Sequence, residues 1–183
     1  MKTLYRGLFA MLFSAAAGAD CSLTSSQHSV ALGEHDVGML SRQNTLLHAV
    51  PLQYQLSCDS RVQLQGFSLR ADWLGFATGQ APDRGPLGYQ SVTIHELRDE
   101  AGEAIPFFLG ADGPAQTRSQ AQRLPDNAGS LPLVIAGEAT GHTFTLSLTL
   151  SSYAASATQL RRLQQDHISL SGQLRATANY AEP

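Results

Sequence analysis

Apolar and polar residues alternate along most of this chain. Leu52, Tyr54, Leu56 and Cys58 are separated by Gln53, Gln55 and Ser57. After an Asp59-Ser60 turn signal the same pattern continues through 61–69. Phe144, Leu146, Leu148 and Leu150 alternate with threonine and serine, and Ile168, Leu170, Leu174, Ala176, Ala178 and Tyr180 do so near the C-terminus. A period of two with one polar face predicts antiparallel strands that are wet on one side. Shorter strands are expected at 28–33, 89–97 and 131–138. Gly- and Pro-rich stretches at 78–88, 99–106, 110–116 and 124–130 read as turns. Residues 154–166 read as a short helical turn or a loop joining the last two strands. Seven or so short strands with such turns predict an all-β fold, an immunoglobulin-like β-sandwich, with a barrel as the alternative.

The N-terminus departs from this pattern. Lys2 and Arg6 precede an apolar run, Gly7 to Ala17, and Ala17-Gly18-Ala19 is a small-residue cleavage site. Residues 1–19 therefore read as a secretory signal peptide, too short to span a bilayer, and residues 20–183 as a single domain. Asp20 ahead of Cys21 argues against a lipid anchor. Removing Lys2 and Arg6 leaves 12 − 2 = 10 basic residues against 15 acidic ones, and all ten are arginine. That balance, with no basic block, argues against nucleic-acid binding.

Export changes the reading of the cysteines. Cys21 and Cys58 are the only two, and in an oxidising compartment they are expected to form a disulfide. Cys58 shares a face with Leu56 and Tyr54, which predicts a bridge inside the sandwich.

Candidate chemistry is sparse. No nucleophile-elbow, HExxH or P-loop pattern occurs, so neither enzyme nor cofactor is expected. Glu34, His35 and Asp36 are consecutive, and neighbours on a strand point to opposite faces, which disfavours a shared metal. Glu96, Asp99, Glu100 and Glu103 lack the ligand and glycine pattern of a calcium loop. His142 reads as a turn residue opening a strand. Trp73, Phe76, Arg84 and Tyr89 form the candidate ligand-contact set, as aromatics with a polar group in a long loop. The simpler expectation is that Trp73 and Phe76 close one end of the core.

Taken together, the export signal, the cysteine pair with "YQLSC" at its second member, the "SVALG" segment (Val30, Leu32, Gly33) and the terminal alternating strand "SGQLRATANYAEP" resemble the pilin subunits of bacterial chaperone–usher fimbriae. The resemblance implies a sandwich lacking its last strand, with a groove lined by Leu170, Leu174, Ala176, Ala178 and Tyr180, joined by Leu23. It implies three protein partners: a periplasmic chaperone, an outer-membrane usher and neighbouring fimbrial subunits. It also implies a host or surface receptor, with passage through the periplasm to a fimbrium at the cell surface. Two details depart from the family. Tyr180 is followed by three residues rather than one, and Gly172 lies only 180 − 172 = 8 positions before it. Cleavage after Ala19 would leave only Asp20 ahead of Cys21, so a minor or tip subunit that accepts a strand without donating one is expected. The alternative is a free-standing periplasmic or secreted β-sandwich binding domain that does not polymerise.

Overall fold

A computed structural model describes residues 19–30, 32–71, 73–76, 87–109, 122–123, 130–163 and 166–183. Its backbone is dominated by one strand, β3 (Thr45–Ala71), 27 residues long. Strands in globular domains usually run about 3–10 residues, so one of this length must bend or change sheets. Along one side of β3, β8 (Leu131–Ile135) and β9 (Thr140–Ala154) lie end to end, from Leu69↔Leu131 to Thr45↔Ala154. Along the other side, β11 (Leu174–Ala181) and β1 (Cys21–Ser25) also lie end to end, from Ala71↔Leu174 to Ser25↔Tyr54.

The corner falls where the β3–β9 register shifts between Ser57 and Val62. Asp59, Ser60 and Arg61 are exposed there. The corresponding bend between β8 and β9 carries Gly137 at φ 106°. Leu174, opposite Ala71, and Leu52 line the same cleft, so the two halves of β3 face each other across the core. The result is a sandwich that is nearly a barrel, made by strands that pass from one layer to the other at a corner.

The outer strands complete the layers. β5 (Gly88–Arg98) pairs with the far side of β9, and β7 (Gln122–Arg123) with β5. β6 (Phe107–Leu109) pairs with β8. A smaller sheet places β10 (His167–Ser171) between β2 (Glu34–Asp36) and β4 (Gly75–Phe76). A single helical turn, α1 (Ala157–Leu160), follows β9, capped by Ser156 Oγ, which accepts the Gln159 amide.

Two apolar clusters hold these layers. The larger lies between the two halves and includes Leu56, Leu64, Phe67, Phe107, Phe144 and Leu146, all at most 1 % exposed. The smaller gathers Val37, Leu74, Leu160, Ile168 and Leu170 under the three-stranded sheet. Full burial of each such side chain stabilises by about 1.5–3 kcal/mol. Gly66 is required where β3 is squeezed hardest: φ is +148°, and a Cβ there would collide with the Leu133 carbonyl.

Three sequence expectations change. The Asp59-Ser60 pair does not reverse the chain, because it makes a corner in one continuous strand. The alternating segment 168–180 is two strands, β10 and β11, in different sheets, broken at Gly172 and Gln173. The segment 28–33 forms no strand among its described residues; Val30 packs against the larger cluster and Leu32 against the smaller.

Candidate functional site

β1 and β11 each pair only with β3 among the described residues. The bonds just outside the β1 ladder also run to β3: the Ser26 amide donates to Gln53 O at 2.8 Å, and the Asp59 amide to Asp20 O at 3.0 Å. Among the described residues the other backbone edge of each strand therefore carries no partner strand. Between these edges the large core is incompletely covered. Cys21, Leu23, Val30, Leu174, Ala176 and Ala178 pack against it yet stay half-buried. Alternation explains the selection: Ser22, Thr24, Arg175, Thr177 and Asn179 face out and are exposed.

One end of this groove deepens into a cleft of about 430 Å³. Leu52, Tyr54 and Leu150 form its apolar floor, and Gln90 and Ser152, opposite each other on β5 and β9, form a polar one. The segment Gln27–Val30 and the turn from Leu170 to Arg175 make its two lips. Burial pushes the Tyr54 phenol above its usual 10, and a hydrogen bond with Ser25 partly offsets this. At the lip, Arg175 donates twice to Gln173 Oε1, at 2.7 and 3.2 Å. Gln90 is 4 % exposed, and among the described residues its Oε1 has no hydrogen-bond partner.

The disulfide joins Cys21 to Cys58, with Cα atoms 4.1 Å apart at the first rung of the β1–β3 ladder. It lies at the margin of the core rather than inside it, because β1 is an edge strand and both cysteines remain half-buried.

The groove residues named from the sequence separate. Leu174, Ala176 and Ala178 lie on β11 facing the core, and Leu23 faces it from β1. Leu170 belongs to β10 and the smaller cluster, although it reaches the cleft. Tyr180 follows a register shift between Asn179 and Tyr180, pairs with Leu64 at the end of the ladder and is 37 % exposed. The cleft itself escaped sequence reasoning. Gln90 breaks the inward apolar series Val92 and Ile94 by one polar residue, and that break is the signal that could have found it.

Of the ligand-contact candidates, Trp73 and Tyr89 flank the antiparallel Leu74↔Gly88 bridge. Trp73 is 52 % exposed and does not close the core. The Phe76 backbone pairs with Leu170 in the small sheet, and Arg84 lies outside the described residues. Tyr89 stacks on Tyr153 across β5 and β9, with centroids 4.9 Å apart, on the outer face. Among the described residues no three His, Cys, Asp or Glu side chains form a metal-holding group. Instead these side chains serve turns. His35 Nε2 bonds Leu32 O at 2.6 Å, and Asp36 Oδ1 accepts the Gly38 amide at 2.7 Å. Asp99 Oδ1 accepts the Ala101 and Glu103 amides at 3.0 and 2.8 Å, and Glu100 accepts the His142 amide at 3.1 Å. No helix among the described residues is long and apolar enough to cross a membrane. No protein-family model matches this chain, and no curated protein matches it.

Proposed function

We propose that this protein is an exported, non-enzymatic fimbrial subunit of pilin type, an acceptor in donor-strand complementation. The observation that carries the reading is the pair of one-sided edges, β1 and β11, with half-buried Leu23, Leu174, Ala176 and Ala178 between them. An extended segment entering there would hydrogen-bond to an open backbone edge and set alternate side chains over the uncovered core. Left empty, the same edges favour aggregation. The segment would come from a periplasmic chaperone during export and from a neighbouring subunit in the fibre. The Cys21–Cys58 bridge fits an oxidising compartment and fixes one wall of the groove.

The test is the state of the protein in the periplasm. Produced with its chaperone, it should purify as a one-to-one complex and appear in sheared surface fibres. A stable soluble monomer that forms without a chaperone would favour the free-standing binding domain instead.

A further inference from the structure

We infer that the cleft end of the groove selects an incoming strand carrying a carboxamide side chain, asparagine or glutamine, at the position that meets Gln90. This rests on the strand-acceptor reading above and names the chemistry of the strand. Most of the groove asks for apolar side chains, since its exposed margin is leucine, alanine and valine. The cleft floor differs. Gln90 and Ser152 are 4 % and 2 % exposed, and they sit side by side within an otherwise apolar inner face.

The Gln90 oxygen is buried without a partner among the described residues. An unsatisfied buried carbonyl costs about 1–3 kcal/mol relative to a bonded one, so a sequence that keeps it there needs a reason. Gly172 forms the adjacent lip, and a Cβ at that position would lie 3.1 Å from the Gln90 carboxamide. Backbone and carboxamide are thus already in close approach, and Gln90 is part of the cleft lining. A volume of about 430 Å³ accommodates a side chain and its backbone.

The chemistry of the occupant follows from the donor inventory. An asparagine or glutamine offers two N–H donors and a carbonyl acceptor, so it can pair reciprocally with the Gln90 carboxamide. A valine would bury the Gln90 oxygen still unpaired. An aspartate matches asparagine in shape but, when ionised, only accepts, and it would set an anion against that oxygen.

The experiment uses the full mature chain and synthetic strands of roughly 10 residues, with valine at inward positions and threonine or lysine outward. Each inward valine is replaced in turn by asparagine or aspartate, and dissociation constants are measured. At one terminal inward position asparagine should bind about tenfold tighter than valine, the equivalent of one net hydrogen bond, and aspartate weaker than valine. In Gln90→Met, which keeps the length and removes the carboxamide, the order should become valine over asparagine. The wild-type series is decisive even if that variant does not fold. Valine preferred at every position, with strands still binding, overturns this inference and leaves the acceptor reading standing. Failure of every strand to bind overturns both.

Discussion

Removing the disulfide gives the sharpest energetic prediction. The bridge closes a loop of 58 − 21 + 1 = 38 residues. In the chain-entropy treatment such a cross-link restricts the unfolded chain by about 13 cal/mol/K, or about 4 kcal/mol at room temperature. Besides the bridge, β1 is held by five rungs on β3, the bonds of Asp20 and Ser26 that flank them, and the half-buried contacts of Cys21 and Leu23. The Cys21→Ser/Cys58→Ser variant should therefore lose about 2 M in its urea midpoint, taking a slope of about 2 kcal/mol per M. The loss should also be local first, because β3 is the sole strand that pairs with β1 among the described residues. Hydrogen exchange at the Ser26 amide, which donates to Gln53 O, should accelerate before exchange in β9. A midpoint shift below about 0.5 M with Ser26 still protected would refute the claim that the bridge pins this wall of the groove.

Other perturbations test separate parts of the account. Gly66→Ala should destabilise by about 3 kcal/mol, from the left-handed φ and the collision with the Leu133 carbonyl, measured by urea unfolding. Tyr54 gives a pH signature: its phenol ionises near 10 in the unfolded chain and at higher pH when folded. Its contribution is complete below pH 10 and is lost as pH rises through the folded value. Tyr54→Phe should thus flatten the alkaline fall in stability relative to wild type. The mature N-terminus should be Asp20 by mass spectrometry, and a strand's length of roughly 5–10 residues ahead of Cys21 would rule out a subunit that accepts without donating.

How much of this was legible in the sequence depended on where the neighbours lie. β9 was readable because its apolar face never breaks from Phe144 to Leu150, and all four of those side chains are buried in the core. The inward face of β11 was readable for the same reason, through Leu174, Ala176 and Ala178. The exposure of Tyr180 was not, because it lies past a register shift near the end of the strand, which alternation alone does not reveal. The corner at 58–62 looked like a turn because Asp-Ser is turn chemistry, but the chain there carries no glycine at positive φ and bends without reversing. The break at Gly172 was masked because alternation runs through it, although β10 and β11 bury different faces in different clusters. The cleft required tertiary knowledge: nothing local brings Gln90 of β5 beside Gly172.

The central claim is that the edges of β1 and β11 receive an added strand. A photo-crosslinking residue placed at Ala178, and separately at Leu23, in periplasmic protein tests it most directly. The account predicts crosslinks from both positions to one extended segment of a chaperone or a second subunit, and none from Tyr89 on the outer face. Protein that remains monomeric and uncrosslinked at both positions, while soluble and folded, would contradict it.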